Sequence, residues 1–339
     1  MIYPANFEEK IGFDRIREQV TALCSTPSAK AKLAEEGFST SADEIERRLS
    51  LMNEMRSLLM LERDFPDGDY PDPAPLVAKI RVEGSYLLAA EADQLRKALV
   101  TVGAIAEFIL GRGGARYPRL WELSRRVTLF PEIVRAIDAI LDDRGEVKDS
   151  ASPELQQVRR AIREREGQAA KRLQQVLQRA KQAGIVDADA VLSVRDGRPV
   201  IPVAAANKRK LQGFIHDESA TGRTFYVEPV EVVEINNELK ELEYAERREV
   251  VKVLSTFTES IRPDAEAIAD AGDYLSSVDM IRAKARWRLP TTPASRSFRR
   301  TIGWNCARRA IRCCSRRCGR RAARSCRSIL RWTAANISS

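Results

Sequence analysis

Apolar positions recur every seven residues along 153–183, at Leu155, Ile162, Ala169, Val176 and Ala183, with Val158, Leu173 and Ala180 as partners. Only Gly167 interrupts this stretch. The seam predicts a helix of roughly thirty residues packed along a partner, about 45 Å long at 1.5 Å per residue. Ser152 supplies its cap, with Pro153 at the first helical position. A second helical pattern runs from Val230 to Ile261 through Val232, Ile235, Leu239, Leu242, Val250, Val253, Leu254 and Phe257. Its middle, Glu243 to Glu249, is nearly all polar and reads as a solvated stretch of a long helix.

Between these helices the period drops to two. Val191 to Arg195 and Pro199 to Val203 flank Asp196-Gly197, a type I′ hairpin signal. Pro199 and Pro202 place the second strand at an edge or a bulge, because proline donates nothing to a ladder. Leu211 to His216 and Arg223 to Glu228 form a further hairpin around the turn formers Ser219-Ala-Thr-Gly222. His216 is the chain's single histidine and adjoins Asp217, Glu218 and Ser219. Neighbours on a strand point to opposite faces, so a hairpin explains this stretch better than a hydrolytic site does. Two long helices running out and back, with a small β cap where they reverse, make a lever carrying a tip.

The N-terminal half reads as a helical bundle. One helix is expected over Phe7–Leu23, with Ile11, Ile16 and Val20 inward. Ser25-Thr-Pro-Ser28 opens a second, and Ser41-Ala-Asp-Glu44 has capping-box form before Ile45, Leu49, Met52, Met55 and Leu59. The proline-rich segment from Asp64 to Pro75 is a loop. Helical patterns resume at Ala89–Leu110, break at Gly111-Arg-Gly-Gly114, return at Pro131–Leu141, and give way to a loop over 142–152. Phe13, Ile16, Leu49, Leu239 and Leu242 are expected in the core. The architecture expected is mainly α. It comprises a helical core domain (1–150), lever helices with a β clamp inserted at about 186–229 (151–290), and a tail (291–339).

Composition alters this picture mainly at the C-terminal end. An apolar fraction of 44% is sufficient for a core. No run approaches the ~18 apolar residues of a membrane span, and MIYPANFEEKIGF is not a signal peptide, so a cytoplasmic protein is expected. The net charge of +9 is unevenly spread, since residues from 291 onward hold thirteen arginines and no acid. The body therefore carries 44 of the 57 basic side chains against all 48 acids, a net of −4. Five of the six cysteines also crowd the tail, with C-C-x-x-x-C but no C-x-x-C spacing, which argues against zinc. The tail has three readings: an RNA-binding arm, a zinc knot, or a shifted reading frame in GC-rich DNA. Arginine without lysine, mixed with cysteine and tryptophan, favours the third, and the tail is expected to be disordered.

At the tip, Arg195, Arg198, Lys208, Arg209, Lys210 and Arg223 can reach phosphates as point charges, which gives affinity without sequence reading. Asp217, Glu218 and Glu228 offset them, and a solvated loop is the bland alternative.

The strings RDGRPVIPV, GFIHDESATGRTFYVEP and V-x-x-x-N-N-E-L-x-E-L, with Asn236-Asn237, resemble the lever and clamp of the bacterial MutS family in its type-two branch. The resemblance covers about residues 1–288. It implies a homodimer whose clamps close on branched or duplex DNA, or on a collided ribosome, under control of ATP and Mg, with suppression of recombination and a C-terminal nuclease domain. No G-x-x-x-x-G-K-[ST] loop occurs, so no cofactor, metal or catalytic residue is assigned within this chain, which reads as a fragment cut off before the ATPase. The rival readings are a helical-hairpin scaffold that grips a protein through Phe214, Phe225 and Tyr226, and an RNA-binding protein with a genuine arginine tail.

Overall fold

The computed structural model describes residues 7–195 and 197–288. The tail with its shifted-frame reading, and Asp196 of the first hairpin turn, lie outside the described residues. The fold is mainly α with one small antiparallel sheet. No described helix is long and apolar enough to cross a membrane. The chain groups into two compact units. Of the described residues, one takes those up to Ala74, Lys97–Leu129 and those from Ala267 on, the other Pro75–Arg96 and those between Phe130 and Glu266.

The first unit begins with α1 (Phe7–Ile11) and α2 (Phe13–Thr21), where a single helix was expected. Gly12 breaks it by adopting φ 73°, a left-handed conformation that glycine enters without a Cβ clash. Next come α3 (Pro27–Glu35), capped by the Thr26 hydroxyl, and α4 (Ala42–Leu61), capped by Ser41. The reciprocal half of the expected capping box is relayed, because Glu44 accepts from the Ser39 hydroxyl and Ser39 in turn accepts from the Ser41 amide. α5 (Ala74–Ile80) from Pro75 on and the start of α6 (Ala89–Gly111) belong to the second unit, whereas α6 from Lys97 on and a short α7 (Pro118–Ser124), which the sequence pattern did not single out, belong to the first. The last described helix, α11 (Ala265–Arg288), was also missed.

Phe13, Ile16 and Leu49 are only half-buried, contrary to expectation. They line an open apolar groove of about 330 Å³ together with Met52 and Trp287. The unit is fastened instead by a buried pair on α11. Asp279 Oδ2 accepts from the Ser25 and Thr26 amides, both at 2.8 Å, and from the Thr26 hydroxyl at 3.1 Å. Arg282 bonds Asp279 at 2.9 Å, Gly68 O at 2.7 Å and the Ser25 hydroxyl at 2.6 Å, and lies 3.9 Å over the Tyr70 ring. Both charged side chains are fully buried.

The second unit is built on α9 (Pro153–Gln182) and α10 (Val230–Ile261), both within a residue of their expected limits. Ser152 caps α9, with Pro153 at its first position, as read from the sequence. Ion pairs Arg159–Glu246 (2.7 Å), Arg165–Glu238 (2.7 Å) and Arg179–Glu231 (3.4 Å) rise along one helix and fall along the other, so the pair is antiparallel. The seam is fully buried at Leu155 and from Ala169 to Ala180 on α9, and at Val232 and from Leu254 to Ile261 on α10. In the middle, Leu239 and Leu242 are only half-buried, contrary to expectation, because two helices alone leave the flanks of their seam open. At the far end of α10, Arg262 donates to the backbone carbonyls of Ile80, Val82 and Ser85, and Thr258 accepts from the Leu87 amide. α8 (Pro131–Ile140) also belongs to this unit.

Replacing Asp279 by alanine strands a buried guanidinium and two amides. We expect a loss of about 3–5 kcal/mol in denaturant unfolding. Lys32→Ala, which breaks an ion pair to a largely exposed Asp273, is expected to cost under ~1 kcal/mol.

Candidate nucleic-acid interface

Where α9 and α10 meet the inserted segment, the sheet packs on their ends. Leu173, Val176, Leu177 and Ala180 of α9 and Val232 of α10 share one buried cluster with Val186, Ile201, Val203 and Val227. The strands are β1 (Ser193–Arg195), β2 (Arg198–Ala204), β3 (Gly213–Glu218) and β4 (Thr224–Pro229), in the order β1-β2-β4-β3. Both expected hairpins are present. β2 lies inside the sheet rather than at its edge, which corrects the expectation drawn from its prolines. The ladder is staggered: β1 pairs with residues 198–200 and β4 with 201–204. Pro199 and Pro202 therefore each face a paired strand on one side only, and neither is asked for a second ladder bond.

A buried carboxylate holds this cap to its stalk. Glu228, 1% exposed, accepts from Asn236 Nδ2 of α10 at 2.5 Å, from Arg198 Nη1 of β2 at 3.0 Å, and contacts His216 Nε2 of β3 at 2.5 Å. Arg198 also donates to Asn237 Oδ1 at 3.2 Å. The β3–β4 register shifts between Ile215 and Asp217, and this bulge at His216 lets the ring turn to Glu228 while Asp217 turns to Arg195. The single histidine serves the hairpin. Burial pushes the Glu228 pKa upward, but the bonds from Asn236, His216 and Arg198 outweigh it and hold the group below its ordinary 4.5. Close strand approach also fixes Gly213, where an added Cβ would strike the Glu228 carbonyl.

The six basic residues singled out from the sequence fall into two kinds. Arg198 is turned inward onto Glu228 and Asn237, and Arg195 pairs with Asp217 at 3.0 Å and lies 3.9 Å over Tyr226. Lys208, Arg209, Lys210 and Arg223 are exposed. The 208–210 turn follows β2 after one 3-10 turn (Ala205–Asn207), and Arg223 precedes Thr224, the register partner of Ala204, so these four share one end of the sheet. Arg198 sits at the opposite end of β2, six residues before Ala204 and roughly 20 Å away. Phe225 and Tyr226, expected to be exposed, are half-buried beneath Lys208 (4.5 Å) and Arg195, whereas Phe214 is open at 59%. The inward bonds of Arg198 and the Glu228 hub were missed. Their one sequence signal was the Asn236-Asn237 pair on a polar face of α10.

Among the described residues no group of three His, Cys, Asp or Glu could hold a metal, and the chain lacks a phosphate loop with its lysine. These residues do not fit ATP with Mg.

No protein-family model matches the chain. Among curated proteins, it is 31% identical over 276 residues to the endonuclease MutS2 of Thermomicrobium roseum, covering 81% of this chain and 34% of that protein. The endonuclease MutS2 of Bacillus velezensis is 29% identical over 277 residues, again 81% of this chain and 35% of the relative. This chain is related to the MutS2 family. It spans about a third of the length of the MutS2 relatives it matches. The putative endonuclease MutS2 of Bacillus subtilis matches at 28% over 277 residues. The MutS2 relationship agrees with the resemblance read from the hairpin strings and the Asn236-Asn237 helix.

Because the Glu228 pKa is depressed, its stabilising effect is complete above its ordinary 4.5 and is lost as pH falls through the folded value. Glu228→Gln keeps the shape and removes the charge. It is expected to lower stability by about 1.5–3 kcal/mol at neutral pH and to flatten the acid limb of the stability curve, read by urea unfolding from about pH 7 to pH 3.

Proposed function

We propose that the β cap and its two-helix stalk form a clamp that grips nucleic acid by its phosphates without reading sequence. The observation that carries this is the cluster of Lys208, Arg209, Lys210 and Arg223 at one end of the sheet, exposed and with no carboxylate partner among the described residues. Of the three acids that offset the cluster, Asp217 and Glu228 are taken up by Arg195, His216 and Arg198, which leaves Glu218 alone beside four cations. Point charges on a platform fixed by a buried hub suit backbone contact. Arg195 and Arg198 contribute by holding that platform. In a MutS2-type protein the clamp belongs to a homodimer that closes under ATP and Mg on branched or mismatched DNA, or on a collided ribosome. Suppression of recombination and ribosome rescue are the roles this serves. Endonuclease and ATPase chemistry is assigned to none of the described residues.

A second reading has one observation in its favour: Phe214 and Ile215 are exposed on β3, a strand with a free edge, which suits contact with a protein. Salt distinguishes the two readings.

Changing Lys208, Arg209 and Lys210 together to glutamate is expected to weaken binding to duplex DNA, branched DNA and ribosomes. The slope of log affinity against log salt should fall by about 0.9 per lost phosphate contact. Unaltered binding to all three would remove the clamp-contact reading. A captured protein partner insensitive to salt would favour the second.

A further inference from the structure

The first unit carries a denser positive surface than the clamp does. Residues 186–229 hold as many acids as bases, six of each, whereas 111–126 hold five arginines against Glu122 alone, in a body that is net acidic. Arg112 and Arg116 lie on the turn after α6, Arg119 in the first turn of α7, and Arg125 and Arg126 just past its end, and all are exposed. Two carboxylates serve four of them. Glu62 is shared between Arg112 (3.1 Å) and Arg116 (2.8 Å), and Glu122 between Arg119 (3.5 Å) and Arg126 (2.8 Å). A guanidinium has five N–H donors, so each arginine keeps most of its donors for an outside acceptor. Arg125 has no carboxylate partner among the described ion pairs.

Aromatic rings set the posture of these side chains. Arg112 lies 4.5 Å over Phe108, Arg116 5.6 Å over Tyr117, and Arg125 5.4 Å over Trp121. Stacking holds a guanidinium flat and lowers the entropy lost when its edge meets an acceptor. The support is itself fixed. Glu54 accepts from the Arg119 and Leu120 amides at the start of α7, and Gly114 packs so closely on Trp121 that an added Cβ would lie 3.2 Å from the indole.

The geometry points to this arginine surface on α7 as a second nucleic-acid contact, independent of the clamp, that engages phosphates of a duplex or single strand. Five exposed guanidiniums with divided counter-charges, three of them held over aromatic rings, suit the phosphates of a polyanion. The inference goes beyond the clamp reading and stands or falls without it.

The test uses the whole chain and fluorescein-labelled DNA, duplex and single-stranded, with anisotropy read over a range of salt. Arg119, Arg125 and Arg126 are changed together to glutamate, leaving the Glu62 pairs intact. The expected result is at least tenfold weaker binding and a salt slope smaller by about 2–3, at 0.9 per contact. The matching triple change to lysine should keep most of the affinity, which separates lost charge from lost fold. The Lys208, Arg209, Lys210 glutamate variant is run beside it. If the α7 variant binds like the parent while the clamp variant is weakened, this surface is no contact and the clamp reading survives. If the α7 variant alone is weakened, the surface is upheld and the clamp reading fails. If polyglutamate competes for the parent chain as well as DNA does at equal charge, the assignment to nucleic acid is overturned.

Discussion

One carboxylate decides how the cap sits on its helices. Glu228 draws a guanidinium from β2, an imidazole from β3 and an amide from α10 to the same two oxygens. Removing a charge from water costs several kcal/mol unless its lone pairs are filled, and here they are filled by groups from three separate elements. None of these elements can drift without exposing that cost. The apolar cluster of Val186, Ile201, Val203, Val227 and Val232 supplies most of the burial, but it is non-directional. The hub adds the direction.

The same arrangement explains why the cap tolerates prolines inside its sheet. With β2 staggered between two partners, each proline needs a ladder bond on only one flank, and the bulge at His216 spends one residue to aim a side chain inward. It also sorts the basic residues by use. Arg195 and Arg198 are consumed in holding strands together, so the outward charge is concentrated in the turn after β2 and at Arg223.

Much of the architecture was legible because its signals are periodic. The seven-residue seam of α9, the limits of α10 and both hairpins follow from side-chain spacing and turn chemistry that need no tertiary knowledge. What stayed hidden was set by partners far apart in sequence. Arg282 looks like any surface arginine near a helix end until Asp279, Ser25 and Gly68 surround it. Arg198 looked outward-facing because thirty residues separate it from Glu228. Phe13 and Leu49 are apolar at helical spacing, yet spacing cannot say that the surface they face is an open groove. The short α7, seven residues long, offers less than two full repeats to read.

The half-buried middle of the α9–α10 pair has a mechanical consequence. Its two ends are cemented by apolar packing, whereas Arg159–Glu246 and Arg165–Glu238 carry the span between them through partly solvated charges. Such a rod is stiff where it meets the cap and where it meets its base, and compliant between. Dissolved ions screen those charges, so rising salt loosens the middle of the pair while the two apolar ends are left unchanged.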